Sequence, residues 1–332
     1  MLAFGLGLFS MKLSGGQTAT ASAMSYVERG NQWLAKKELQ RAIADFSLAI
    51  AFDETLSAAW LNRGLARLAV RDLDGSIGDL TRAINLQPRD ARAYSNRAAA
   101  WYLHGNLDRA VSDCDEALRF NPKSTEAYAN RGIARRDQGD LNAALTDLSR
   151  AVALDKHNYR AFVDRATVWA LRGDLDRAVA DASKAIRLNP TSVEAWNNRG
   201  LARRQQGDLD GAISDFTRAL ETDASIADPW HNRGLTRYLK HDFDRAISDY
   251  TKAIALDPEI ATPYSDRGAA RLANGDIDGA ISDFTHAIKL DPNVAEAYFN
   301  RAAAWRAKGD NHNALADYDK SIRIDPRYAR RQ

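Results

Sequence analysis

A period of 34 residues runs through most of the chain without an inserted or deleted residue. It is clearest as one aromatic residue per period: Tyr26, Trp60, Tyr94, Tyr128, Phe162, Trp196, Trp230, Tyr264 and Tyr298. A period of this length indicates supersecondary units that stack on their neighbours, because one such unit cannot bury its apolar face alone. The sequence therefore predicts a repeat array rather than globular domains.

The array contains nine repeats, in which we number the positions from 1 to 34 so that the aromatic residue is position 4. The repeats span residues 23–56, 57–90, 91–124, 125–158, 159–192, 193–226, 227–260, 261–294 and 295–328. Residues 1–22 form a head of different composition, and residues 329–332 form a short tail. We expect residues 23–328 to be one solenoid.

Small residues recur at fixed positions of each repeat. Position 8 is always Gly or Ala, position 20 is Ala except for Ser76, and position 27 is Ala except for Ser321. These positions recur at helical spacing on two segments, which predicts two amphipathic helices that approach closely. Between the segments, pairs such as Gly139 and Asp140 are suited to end the first helix and cap the second. The predicted fold class is all-α.

The pattern of aromatic, small and proline positions resembles the tetratricopeptide repeat family over residues 23–328. The resemblance implies an α-solenoid, a right-handed superhelix of antiparallel helix pairs. It also implies that the first helices line a concave face, which holds peptide segments of partner proteins.

Two charged positions depart from the family pattern in every repeat. Position 7 is arginine (Arg29, Arg63, Arg97, Arg131, Arg165, Arg199, Arg233, Arg267 and Arg301), and position 23 is aspartate (Asp45, Asp79, Asp113, Asp147, Asp181, Asp215, Asp249, Asp283 and Asp317). A matched acid for every base predicts a structural ladder of Arg–Asp pairs. The alternative is a row of arginines that binds an acidic ligand. Pairing within one repeat and pairing between adjacent repeats both remain open.

On the face that the resemblance assigns to ligands, position 6 carries a row of carboxamides: Asn62, Asn96, Asn130, Asn198, Asn232 and Asn300. We call these residues the asparagine row. A carboxamide both donates and accepts, so the row could hold a peptide backbone of any sequence. Further candidate binding residues on this face are Leu68, Tyr102, Leu103, Arg136, Arg204, Tyr238 and Leu239. The alternatives are a solvated polar row and leucines that pack between helices.

Catalytic and metal-binding patterns are absent from the sequence. The six histidines fall at different repeat positions, and no phosphate-binding loop or nucleophile motif is present. Acids and bases nearly balance, with a net charge of +2, so the composition gives no reason to expect nucleic acid as a partner. The single cysteine, Cys114, fits a small core position. We expect a protein that is not an enzyme and uses no cofactor or metal.

The head contains the apolar run Leu2–Phe9, which is too short to span a membrane. With the small residues before repeat 1 it resembles a secretory signal, although it lacks a positive segment at its start. In the alternative, Met24 is the true start of the protein and the head is disordered or mis-assigned sequence. We expect a cytoplasmic protein, or a periplasmic or secreted one if the head is a signal peptide.

These features predict a protein-interaction scaffold that binds a peptide segment of a protein partner in the concave groove. One alternative is a structural solenoid that stacks end to end through its terminal repeats to form homo-oligomers. Another is a targeting subunit for a separate enzyme, which would use the same groove.

Overall fold

The computed structural model describes residues 16–330. The apolar run of the predicted head lies outside these residues. The first helix begins at Gly16 and continues to Ala35, so it includes the last residues of the head and the first residues of repeat 1. Within the described part of the chain the structure is all α-helical apart from a short 3₁₀ helix near the end, which confirms the predicted fold class.

The chain divides into two compact units, one ending at Lys156 and the other starting at His157. The helices of the N-terminal unit are α1 (Gly16–Ala35), α2 (Leu39–Phe52), α3 (Ser57–Ala69), α4 (Leu73–Leu86), α5 (Ala91–Leu103), α6 (Leu107–Phe120), α7 (Thr125–Asp137) and α8 (Leu141–Leu154). Those of the C-terminal unit are α9 (Tyr159–Leu171), α10 (Leu175–Leu188), α11 (Val193–Gln206), α12 (Leu209–Thr222), α13 (Ala227–Leu239), α14 (Phe243–Leu256), α15 (Ala261–Ala273), α16 (Ile277–Leu290), α17 (Ala295–Lys308) and α18 (Asn311–Ile324), followed by the 3₁₀ helix Pro326–Arg330.

Each repeat is a hairpin of two helices. Within each unit, a second helix such as α4 packs against its own first helix, α3, and against the first helix of the next repeat, α5. Successive first helices also contact one another, as α3 and α5 do. Because every helix gains its partners from its own and the adjacent repeats, each unit is an α-solenoid stabilised by nearest-neighbour interfaces.

Aspartate and asparagine side chains start most of the second helices. The carboxylates of Asp140, Asp174 and Asp208 accept hydrogen bonds from backbone N–H groups three residues later, as the sequence predicted. Just before these caps, the turn needs a left-handed residue, which is glycine in six repeats. Lys37, Arg71 and His241 adopt the same conformation, at a steric cost that glycine does not incur.

The helices of one hairpin fit together through a pairing of position 8 with position 24. A Cβ added to Gly64 would lie 2.7 Å from Cγ of Leu80, and one added to Gly200 would lie 2.7 Å from Cε1 of Phe216. Where position 24 is the smaller Cys114, position 8 is alanine, Ala98. The side chain on the second helix therefore fills the space that the missing or small side chain leaves on the first.

The described residues contain no helix long and apolar enough to cross a membrane.

The glycine pair Gly64 and Gly78 tests this packing in one hairpin. We expect Gly64→Ala to destabilise the fold by about 1–3 kcal/mol, because its Cβ would overlap Leu80. Gly78 also lies inside a helix, but a Cβ there meets nothing within 4 Å. Gly78→Ala should therefore stabilise the fold by about 0.5–1 kcal/mol. Urea denaturation would measure both changes, and equal effects of the two substitutions would contradict the packing argument.

Candidate functional site

The arginine at position 7 and the aspartate at position 23 form a two-bond ion pair inside each repeat. In every pair Nε and Nη2 of the arginine donate to the two carboxylate oxygens, at 2.6–3.0 Å. The partners are 16 residues apart, as in Arg63 and Asp79, so the pair joins the two helices of one hairpin. All nine aspartates are buried. The question that the sequence left open is answered in favour of pairing within a repeat.

The same guanidinium lies over the aromatic ring at position 4, one helical turn earlier. The distance from the guanidinium carbon to the ring centroid is 4.8 Å for Arg199 over Trp196 and 5.8 Å for Arg97 over Tyr94. All nine arginines make this contact, at distances between these two values. A cation over an aromatic face is attracted by the ring quadrupole, so the aromatic position and the arginine position form one feature.

The third guanidinium nitrogen of the arginine, Nη1, reaches the preceding repeat. Inside the N-terminal unit it donates to Ser47, Thr81 and Asp115 from Arg63, Arg97 and Arg131, respectively. Inside the C-terminal unit it donates to Ser183, Thr217, Thr251 and Thr285 from Arg199, Arg233, Arg267 and Arg301. All these acceptors occupy position 25, for which the sequence pattern predicted no role. The arginine therefore ties neighbouring repeats together as well as the helices of its own.

A second cation meets the same aspartate in five repeats. Arg67, Arg135, Arg203, Arg237 and Arg271 at position 11 donate from Nη1 to the aspartates, at 2.7–2.9 Å. In repeat 1 the indole N–H of Trp33 takes this place on Asp45. Hydrogen bonds from Arg29 hold the pKa of Asp45 below its usual range. The arginine donors are used inside the fold, which leaves little for the acidic ligand that the alternative interpretation required.

The asparagine row makes hydrogen bonds between successive first helices. The amide of Asn62 donates to Asn31, that of Asn198 to Thr167, and that of Asn232 to Asn197. Asn130 donates to the backbone carbonyl of Ser95. Within the described residues Asn96 and Asn300 make no hydrogen bond through their side chains. The row is therefore partly used in packing, and its carbonyl oxygens together with Asn96 and Asn300 remain available.

The other predicted binding residues differ in their surroundings. Leu103 and Leu239 are exposed, whereas Leu68 and Tyr238 are half-buried. The Tyr102 hydroxyl donates to Asp137, and Arg136 pairs with the same carboxylate and thereby lowers its pKa.

Arg204 occupies the same position as Arg136 two repeats later, but it donates a long hydrogen bond, 3.4 Å, to the carbonyl of Asn232. Burial lowers the pKa of Arg204. The same repeat position therefore holds a neutralised cation in the N-terminal unit and a cation without an adjacent carboxylate partner in the C-terminal unit.

A cavity of about 460 Å³ opens on the first-helix side of the C-terminal unit. Its wall includes Leu235, Tyr238, Tyr250, Asp266, Glu296 and Asn300, which come from α13, α14, α15 and α17. Nε2 of His231 lies 2.7 Å from a carboxylate oxygen of Asp266. Tyr250 and Glu296 were not predicted as binding residues. The sequence distinguishes Tyr250 only as a tyrosine where the neighbouring repeats have phenylalanine, and Glu296 only as a glutamate at the start of a first helix.

Groups able to bind a metal or act as a nucleophile are scarce. The described residues contain no cluster of three or more His, Cys, Asp or Glu side chains that could hold a metal ion. Cys114 is fully buried, and burial raises its pKa to about 12. A thiol in this state is a packing residue, because the thiolate is the reactive form.

Models of the tetratricopeptide repeat match residues 61–125, 130–193, 172–229, 227–260 and 265–329. These matches cover well over half of the chain, and the chain belongs to the tetratricopeptide repeat family. The family model and the helical hairpins place it in the general class of protein-interaction scaffolds, whose fold is typically not catalytic.

Three solved structures illustrate the shared fold. The APC/C hetero-tetramer Cut9–Hcn1 aligns with a TM-score of 0.61 and 16% identity, over 92% of this chain and 73% of that one. The pilF protein of Pseudomonas aeruginosa aligns with a TM-score of 0.58 and 18% identity, over 67% and 100% of the two chains. A tetratricopeptide repeat protein of Parabacteroides merdae aligns with a TM-score of 0.56 and 21% identity, over 71% of this chain and 94% of that one. No curated protein matches the chain in sequence.

Repeat 3 offers the clearest test of the ion pair, because Trp101 at position 11 leaves Arg97 as the only arginine of that repeat bonded to Asp113. We expect Asp113→Leu to cost about 3 kcal/mol of unfolding free energy, since it leaves Arg97 without its partner. The double variant Arg97→Met/Asp113→Leu should lose less unfolding free energy than the two single variants lose in sum. Chemical denaturation of the four proteins measures this coupling, and strictly additive losses would contradict a paired role.

The same cycle with Arg199→Met and Asp215→Leu provides a comparison. Asp215 also accepts a hydrogen bond from Arg203, so Asp215→Leu leaves a second cation without its carboxylate. We therefore expect the double variant in repeat 6 to recover less stability than the one in repeat 3.

Proposed function

We propose that the chain is a non-enzymatic scaffold whose first-helix face binds an extended peptide segment of a partner protein. The observation that carries the proposal is that different repeat positions serve the fold and the exposed face. The invariant charges of positions 7 and 23 are used inside the fold, whereas the first-helix face keeps free amide groups and exposed leucines. Polar groups that recur along an apolar surface suit a peptide, whose backbone needs hydrogen bonds at regular intervals.

Within each unit, this face offers both kinds of contact. In the N-terminal unit, Asn96 lies one repeat before Asn130 on successive first helices, and Leu103 is exposed at the end of the first of them. In the C-terminal unit, Leu239 is exposed at the end of α13, and the carboxamide of Asn300 on α17 makes no hydrogen bond with the described residues. A single unit is therefore enough to hold a short segment, and the proposal does not depend on how the two units are arranged.

A targeting subunit for a separate enzyme would use the same face. It differs only in the identity of the partner, so the binding test below applies to both versions of the proposal.

The asparagine row can be tested with a library of short random peptides displayed on phage. We expect wild-type protein to enrich a set of peptides, and Asn96→Ala/Asn130→Ala/Asn198→Ala to bind them about tenfold more weakly, because backbone hydrogen bonds are lost. Asn142→Ala changes an exposed asparagine on a second helix and should bind like wild type. Thermal melts would show that the variants are folded. Unchanged affinity of the folded triple variant would exclude the row as a binding element.

End-to-end assembly is a second candidate, favoured by the surface of the last hairpin. Leu315 on α18 is 62% exposed and lines a depression of about 500 Å³ together with Phe299 and Tyr318. Asp319 occupies the same repeat position as Asp115, whose carboxylate accepts a hydrogen bond from the arginine of the following repeat. A second copy stacked on this end could offer its Arg29, which is 53% exposed, in the same way.

Light scattering over a range of concentrations tests this assembly. If copies stack through α18, wild-type protein should form oligomers that Leu315→Glu disperses, because the substitution places a charge in the apolar contact. Leu256→Glu alters a leucine that is 41% exposed on α14, in an internal repeat, and should leave the oligomers intact. A wild-type protein that stays monomeric at every concentration would rule out the assembly.

A further inference from the structure

Tyr250 carries a buried hydroxyl group without a hydrogen-bond partner. Its side chain is fully buried, and among the described side chains its oxygen is the one buried polar atom without a partner. Burying an unpaired hydroxyl group is unfavourable, because it loses its bonds to water and gains none in return. Burial also raises the pKa of the phenol, so the group stays neutral and can both donate and accept.

The packing of the hairpin does not require this hydroxyl group. Phe216 and Phe284 occupy the same position in the preceding and following repeats, and both are fully buried. Their rings lie against Gly200 and Gly268 in the same way as the ring of Tyr250 lies against Gly234. Repeat 7 therefore differs from its neighbours by an oxygen atom that serves no contact within the described fold.

The ring of Tyr250 forms part of the wall of the cavity described above. The other polar groups of the wall are the carboxylates of Asp266 and Glu296 and the carboxamide of Asn300. One oxygen of Asp266 contacts His231, and Asn300 makes no hydrogen bond with the described residues. Leu235 and Tyr238 supply the apolar part of the wall. The cavity thus combines two negative charges with acceptor groups and an apolar side.

The nearby positive charges do not line the cavity. Arg233 and Arg237 are both bonded to Asp249. Arg204 lies close enough for Tyr250 and Asp266 to act on its charge, but it is not part of the wall. A ligand carboxylate would meet Asp266 and Glu296 at close range, whereas a ligand cation would be attracted by them.

We propose that this cavity binds a basic side chain, lysine or arginine, of the peptide held on the first-helix face. The aliphatic stem lies along Leu235 and Tyr238. The charged end donates hydrogen bonds to Asp266 and Glu296 and, once the side chains that cover it move apart, to the Tyr250 hydroxyl oxygen. Such a ligand supplies the missing partner of Tyr250 and neutralises the acidic wall. This inference rests on the proposed peptide-binding function and adds the class of side chain that this function selects.

The chain itself provides conservative variants for the test. Tyr250→Phe installs the residue that repeats 6 and 8 already use, and Asp266→Asn installs the residue found at the same position in repeats 7 and 9. Both keep the shape of the site and should fold, as thermal melts would verify. The matched control is Asp164→Asn, which removes the other aspartate of that position in the C-terminal unit, outside the cavity wall.

The experiment selects peptides from a random displayed library on wild-type protein and on the three variants. Wild type and Asp164→Asn should enrich peptides with lysine or arginine at one fixed place, and Asp266→Asn should lose this preference. For one selected peptide, replacing the basic residue by norleucine should weaken binding to wild type by about tenfold and to Asp266→Asn by much less. Tyr250→Phe should weaken binding of the basic peptide and leave the affinity for the norleucine peptide unchanged.

The possible outcomes separate this inference from the proposed function. Peptides enriched in aspartate or glutamate, or a basic preference that survives in Asp266→Asn, would overturn the basic pocket and leave peptide binding standing. Enrichment of no peptide by any of the four proteins would overturn the proposed function and the pocket together.

Discussion

The guanidinium group at position 7 is the contact on which the rest of the array depends. It binds the buried aspartate of its own hairpin through two nitrogens, lies over the aromatic ring one turn earlier, and donates to the preceding repeat through its third nitrogen. One planar cation thus satisfies a buried carboxylate and fixes three helices. A lysine could not make these contacts, because its single ammonium group lacks the fixed fork of donors. This geometry explains why positions 4, 7 and 23 keep their chemistry in all nine repeats.

Variation elsewhere in the hairpin is compensated within the same repeat. Where position 11 is tryptophan, as in Trp101 and Trp169, an arginine at position 19 lies over its ring, at 4.5 Å for Arg109 and 4.7 Å for Arg177. Where position 11 is arginine, position 19 is a small residue in four of the five repeats, such as Gly75 beside Arg67. At least one cation per hairpin therefore lies near this turn, either bonded to the aspartate or over the ring of the tryptophan.

The sequence was sufficient for features that repeat in register. The period predicted the hairpins, and the adjacent Gly139 and Asp140 predicted a helix end and a cap. The arginine at position 7 and the aspartate at position 23 of every repeat predicted that Arg97 would have an acidic partner. The period could not decide between pairing within and between repeats, because it fixes only the spacing along the chain and not the offset between packed helices. The bonds of Asn62 and Asn198 depend on the same offset. The cavity at Tyr250 combines residues of three repeats, so no single repeat position could predict it.

The link from Arg97 to Thr81 has a consequence for how such a chain can change in length. Each interface of this kind uses position 7 of one repeat and position 25 of the one before, and these positions carry compatible groups throughout both units. A duplication or deletion of 34 residues would join two repeats that already carry a matching donor and acceptor. The chain could therefore be lengthened or shortened by recombination, and the new junction would be complete from the start.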